Sequence, residues 1–191
     1  EELVSIRQSG KHLLHMIDEI LDHARGVAGK LPLEPAPQDL AIFLRDVAQN
    51  ARVLAAARGN RFTLQVQGDA APWVLLDAVR LRQVLDNLLA NAARHTQHGN
   101  ITLRCAVQAV PELACWRLHF SVHDSGEGIA QADLERIFLP FERGTHNTRQ
   151  GGKGTGMGLA IARQLVEVMG GSLTVHSTTG QGACFEFSVE V

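Results

Sequence analysis

The chain has 191 residues, 45% of them hydrophobic, and a formal net charge of −2. That length suits one α/β domain with a short appendage, able to bury most of the surface its unfolded form exposes. Near-neutral charge argues against a domain devoted to nucleic acid, and no segment reads as a bilayer span or a signal peptide.

Residues 3–25 read as an amphipathic helix, with Leu13, Leu14, Ile17, Ile20 and Leu21 at helical spacing and Asp18, Glu19 and Asp22 between them. One such helix cannot bury its stripe alone, so a partner helix is expected. No cap precedes Leu3, and the pattern opens as if cut from something longer. Segment 26–38, GVAGKLPLEPAPQ, carries two Gly and three Pro and is the expected boundary. Gly26 or Gly29 would stop the helix there, and Lys30–Glu34 would form a short edge strand. Helix 39–58 follows, ended by Arg58-Gly59-Asn60, then strands 61–67 and 73–76. Asp77 is the candidate N-cap of helix 78–95, which His98-Gly99-Asn100 closes ahead of strands 100–110 and 114–123. Then come a short helix 131–138, an irregular stretch 139–153 and a helix 156–169 stopped by Gly170-Gly171. A hairpin of strands 172–177 and 183–190 turns around Thr179-Gly180-Gln181-Gly182.

This order predicts an α/β two-layer sandwich, a mixed sheet with three main helices on one face, preceded by the amphipathic helix. The expected domain division is residues 1–29, the helical appendage, and 30–191, the α/β domain. Cys105, Cys115 and Cys184 form no CxxC pair, and each sits in an apolar, strand-like run. They read as small core residues of a reducing compartment rather than as disulfide or zinc ligands.

In helix 78–95, Leu81, Val84, Leu85, Leu88, Leu89 and Ala92 form the buried stripe, while Asn87, Asn91, Arg94 and His95 fall on another face. An Asn carbonyl oxygen is a hard ligand suited to Mg²⁺, which takes few protein ligands when phosphates supply the rest. Arg94 is placed to pair with a phosphate oxygen. Asp124 closes a strand before the turn glycines Gly126 and Gly128, where its carboxylate would accept from an adenine amino group. Phe138 and Phe141 would anchor a polar loop, 142–153, that contains Arg143, Arg149 and Lys153 and enters a helix through Gly154, Gly156 and Gly158. Glycines let backbone N–H groups approach phosphates, and a helix start attracts anions. Taken singly, each has a plain alternative: a solvated helix face, a tight turn with a capping Asp, a surface loop. His95 and His98 lack a third metal ligand nearby and read as a helix end.

Together, LRQVLDNLLANAARHT, HDSGEGI, IFLPFERG and GTGMGLAI resemble, in order, the N, first G, F and second G boxes of the ATP-binding catalytic domain of sensor histidine kinases. That family lies within the superfamily of gyrase, Hsp-type chaperones, histidine kinases and mismatch-repair ATPases. The resemblance covers residues 31–191, and SGKHLLHMIDEILDHARGVAGKLPLEP resembles the second helix of the dimerisation and phosphotransfer domain with its linker. It implies a Bergerat-type fold with a mostly antiparallel sheet, ATP and Mg²⁺ as ligands, and γ-phosphoryl transfer to a His on a helix of the same or the partner subunit. It further implies relay to a response-regulator receiver domain, a full-length homodimer, and a cytoplasmic domain whose membrane attachment, where present, lies outside this segment.

By the same resemblance, Asn91 matches the Mg²⁺ ligand and Asn87 the Asn one turn before it. Arg94 matches a cation meeting the phosphates and His95 an aromatic residue bordering the adenine pocket. Asp124 matches the adenine-reading Asp, with Gly126, Gly128 and Ile129 shaping its pocket. Arg143 would reach the γ-phosphate, and Lys153, Gly154, Thr155, Gly156, Met157, Gly158 and Leu159 match the lid-to-helix entry, Met157 standing for the usual Leu. Cys184 sits near where relatives often carry Thr or Ser. Asn87 stands where the superfamily's ATPases carry a general-base Glu, which favours phosphoryl transfer over hydrolysis. The family's acceptor is a His followed by an acidic residue; none of the nine His fits, so the acceptor helix is expected outside this chain, which would bind ATP without phosphorylating itself. A non-catalytic regulatory module, a superfamily ATPase and a protein serine kinase are the alternatives. Residues 142–153 are expected to be mobile without nucleotide.

Overall fold

The computed structural model describes residue 10 and residues 31–68, 73–142 and 156–191. The remainder of the predicted helix 3–25, the boundary at 29/30 and most of the loop 142–153 lie outside the described residues. In chain order the elements are β1 (Ala36–Asp39), α1 (Leu40–Ala56), β2 (Arg61–Gly68), β3 (Trp73–Leu76), α2 (Ala78–His95), β4 (Asn100–Val110) and β5 (Cys115–Asp124). Two 3-10 turns (Gln131–Asp133 and Arg136–Phe138) precede α3 (Gly158–Val168), β6 (Thr174–Ser177) and β7 (Ala183–Glu190).

β2, β4, β5, β7 and β6 form a five-stranded sheet in that order. β2 and β4 run parallel, and every other adjacent pair is antiparallel. The parallel pair follows from the crossover between β2 and β4 that α2 supplies. Strand alternation sends Ile101, Leu103, Cys105, Val107, Leu118, Phe120, Val122, Phe185, Phe187 and Val189 into one core with the apolar stripes of the three helices. Phe120 and Phe187 stack there with centroids 5.1 Å apart. The opposite sheet face is polar, with Arg104, His119, His123, His176 and Glu186 along it. Among the described residues helices therefore cover one face only, the expected two-layer sandwich.

Expectations on three points need correction. The short strand is not Lys30–Glu34 but Ala36–Asp39, which pairs antiparallel with β3 in a separate ribbon, so neither joins the main sheet. Pro37 is tolerated because a two-stranded ribbon leaves an edge where no N–H is needed. The predicted helix 131–138 is two separate 3-10 turns, since a segment of only eight residues gives a helix nucleus too little length to propagate. Of the three free cysteines only Cys105 is buried, because Cys184 falls on the outward register of β7 and Cys115 at the open end of β5.

Both long helices begin at side-chain caps. Asp39 accepts from Ile42 N–H at 2.9 Å, and Asp77 accepts from Arg80 N–H at 3.0 Å. Asp77 uses its second oxygen to accept from Glu34 N–H at 2.9 Å, tying the incoming chain to the start of α2. At the other end of α1, Gly59 takes the left-handed conformation at φ +69°.

Candidate functional site

The site grows from α2. Leu81, Val84, Leu85, Leu88, Leu89 and Ala92 are all buried. That seating leaves Asn87 and Asn91 half-buried on a neighbouring face, with Arg94 exposed and His95 half-buried at the helix end. Asn87 looks toward the first residue of α3: a Cβ added at Gly158 would stand 3.5 Å from Asn87 Oδ1. Among the described residues Asn87 Nδ2 is buried with no hydrogen-bond partner, which is costly unless a ligand supplies one. α3 itself begins without a side-chain cap, so its first N–H groups have no helical acceptor. An orphaned amide opposite an uncapped helix start is a set of donors waiting for an anion.

The second half of the site is built at the end of β5. Asp124 is 3% exposed, and its Oδ1 accepts from Gly126 N–H at 2.8 Å and Thr96 O–H at 3.3 Å. Burial pushes the Asp124 carboxyl up from its ordinary range, opposed by the bonds from Gly126, Thr96 and Ala183. Thr96 is held in turn by Asn60, whose Nδ2 donates to Thr96 O at 2.8 Å. Glycine is required twice here: a Cβ at Gly126 would lie 2.2 Å from His95 O, and one at Gly182 only 1.9 Å from Asp124 O. Gly128, at φ +70°, turns the chain so that Ile129 N–H donates to Ser177 Oγ at 2.8 Å. Asn60, Thr96, Ser177 and Glu127 thus belong to the site, and none was singled out from sequence. Thr96 is the last residue of the recognisable α2 motif; Asn60 and Ser177 act across more than 30 residues of chain and left no local signal.

The Phe pair divides. Phe138 packs edge-on against Phe185 at 6.3 Å, under the Arg163 guanidinium at 5.4 Å. Phe141 is 67% exposed at φ +65°, so it anchors through backbone alone, its N–H donating to Gly156 O at 3.1 Å. That bond brings the two stems of segment 143–155 together. Met157 is buried in the core, and Leu159 packs, partly buried, against that core from the first turn of α3. Arg143, Lys153, Gly154 and Thr155 lie outside the described residues. Cys184 points to the outer sheet face, its thiol 3.7 Å from Glu186, so the side chain turned inward beside Asp124 is Ala183. His123 is followed directly by Asp124, contrary to the sequence reading that no histidine is acid-flanked. It sits exposed in a strand, with Asp124 buried on the opposite face, so the two do not form a helical acceptor pair. His95 does not stand free at the pocket edge: its Nδ1 lies 2.7 Å from Glu127 Oε1.

With this geometry established, comparison places the chain among known proteins. The family model described as "Histidine kinase-, DNA gyrase B-, and HSP90-like ATPase" matches residues 76–191. The chain is 35% identical over 190 residues to the aerobic respiration control sensor protein ArcB of Escherichia coli (strain K12), covering 98% of this chain and 24% of ArcB. It is 31% identical over 191 residues to the signal transduction histidine-protein kinase BarA of the same strain, covering 100% of this chain and 21% of BarA. The crystal structure of full-length ShkA in complex with AMPPNP is similar at a TM-score of 0.80 and 34% identity, over 97% of this chain and 37% of that one. The chain thus spans about a quarter of the length of the curated relatives it matches.

Proposed function

The chain belongs to the histidine kinase-, DNA gyrase B- and HSP90-like ATPase family, and from that membership we propose that it is the ATP-binding catalytic domain of a two-component sensor histidine kinase. It binds Mg-ATP and presents the γ-phosphoryl to a histidine on a helix outside this chain, for relay to a response-regulator receiver domain. Residues 1–29 are read as the remnant of the helical dimerisation and phosphotransfer domain, and the full protein as a homodimer facing the cytoplasm. No helix among the described residues is long and apolar enough to cross a membrane.

One observation supports the reading: Asn87, whose buried Nδ2 has no hydrogen-bond partner among the described residues, stands with its Oδ1 beside the uncapped start of α3 at Gly158. Those donors suit phosphate oxygens, and the buried Asp124 acceptor at the end of β5 suits the adenine amino group. The oxygen-donor chemistry of α2 also fits Mg²⁺, which Asn91 would hold through its amide oxygen and which, when bound, neutralises phosphate charge. The chain's own work is positioning. Asn87 and the first N–H groups of α3 grip the phosphates, Asp124 fixes the base, and Arg94 and Arg143 add positive charge along the triphosphate. Asn87 offers no atom that takes a proton near neutral pH, so activation of water for hydrolysis has no base at that position.

Calorimetric titration with Mg²⁺ and a non-hydrolysable ATP analogue tests this. Saturable binding in the micromolar to low-millimolar range is expected, with Asn91→Ala selectively weakening the Mg²⁺-dependent part. An absence of binding at millimolar nucleotide would refute the reading.

A further inference from the structure

Glu127 lies between Gly126 and Gly128 in a stretch without regular structure, yet all three of its polar groups are engaged. Its N–H donates to His95 O at 3.3 Å, its C=O accepts from Gly180 N–H at 2.7 Å, and its carboxylate meets His95 Nδ1 at 2.7 Å. Two of those ties end on one residue, the last of α2. The imidazole is only 21% exposed and the carboxylate 55%, so the pair is partly shielded from water. His95 also stands at the helix C-terminus. Next to this pair, Thr96 and Gly126 both hold Asp124 Oδ1.

We propose, resting on the ATP-binding reading above, that Glu127 is a positioning and specificity-determining residue: paired with His95, it braces the 125–130 loop against the end of α2 and so sets where Asp124 meets the base. His95 on this account acts through Glu127 and not by ring contact with adenine. The brace joins the helix that carries Asn87 and Asn91 to the loop that reads adenine, and Gly180 extends it to the turn between β6 and β7. Removing the carboxylate leaves, among the described residues, the 3.3 Å backbone bond and the Thr96–Asp124 contact to join the helix end and the loop.

The consequence is a loss of base discrimination with the phosphate grip preserved. The experiment compares binding of Mg-ATP and Mg-ITP, which lacks the exocyclic amino group, to the wild-type chain, Glu127→Gln and His95→Phe. Wild type should prefer ATP, and Glu127→Gln should shrink that preference by about two- to fivefold, the scale of a partly exposed ion pair. ITP affinity and the melting temperature should stay near wild type. His95→Phe should reproduce the Glu127→Gln result, and the double variant should be no worse than either single one. An unchanged preference in Glu127→Gln, an equal fall for both nucleotides, or full discrimination retained by His95→Phe would overturn the brace. Failure of the wild type to bind either nucleotide would instead overturn the ATP-binding reading beneath it, and the brace with it.

Discussion

Asp124 is the residue where stability and function pull in opposite directions. Burial raises its carboxyl pKa above the ordinary 3.8, so folding takes up a proton between the unfolded and folded values. Stability therefore falls as pH rises through that window, and above it the ionised group remains a standing cost. On the proposed ATP-binding reading an adenine amino group needs an acceptor, and this carboxylate, held by Gly126, Thr96 and Ala183, must supply it. Asp124→Asn should leave the melting temperature at or above wild type at neutral pH while weakening nucleotide binding by about ten- to a hundredfold, the worth of a hydrogen bond to a charged group. Wild-type affinity should likewise fall as pH is lowered from neutral through the raised carboxyl value. Thermal melts and calorimetry on the same samples check both signs; a variant that loses stability along with binding would contradict this. Gly126→Ala behaves differently, because its Cβ would sit 2.2 Å from a backbone carbonyl that cannot swing aside. Its melting temperature and nucleotide affinity should fall together.

At the scale of elements, α2 shows how much can be read from residues alone. Its bounds, 78–95, match the sequence expectation because Asp77 caps one end and an uninterrupted Leu/Val stripe runs to the other. Asp77 also accepts from Glu34 across 43 residues of chain, whereas Asp39 caps only its own helix. Asp77→Ala should therefore cost more than Asp39→Ala, about 2 kcal/mol against about 1 kcal/mol, each a shift in urea midpoint without change of slope. Equal costs would mean that the Glu34 bond contributes nothing. The ribbon of β1 and β3 was not legible for a related reason. Pro35 and Pro37 read as linker, yet Pro37 lies within β1, where the pairing Pro37–Leu75 with Asp39–Trp73, set by long-range contact, makes the segment strand. The site divides along the same line. Asn87, Asn91, Asp124 and the glycines lie in compact local motifs and could be named in advance, while Glu127 shows its role only once His95 is folded against it.

For the molecule as a whole, the two halves of the site come from separate chain segments. Asn87 and Asn91 lie on α2, Gly158 starts α3, Asp124 ends β5, and Ser177 and Gly182 flank the turn that follows β6. A ligand that touches all of them binds only the folded sheet-and-helix layer, so its binding energy adds to folding energy. At nucleotide concentrations about a hundredfold above Kd, that linkage is worth about 2.7 kcal/mol. For a domain of this size it should raise the melting temperature by about 5 to 10 °C. The increment should need Mg²⁺ and shrink in Asn91→Ala, since charge on the triphosphate opposes its approach without the cation. Asp77→Ala should keep the full increment from a lower starting point, because its cap lies at the end of α2 remote from His95. Thermal melts of the three proteins with and without Mg²⁺ and nucleotide separate these outcomes. A shift of the same size without Mg²⁺, or one that Asn91→Ala leaves intact, would remove Asn91 from the site while leaving the Asn87–Gly158 junction as the remaining phosphate-facing element.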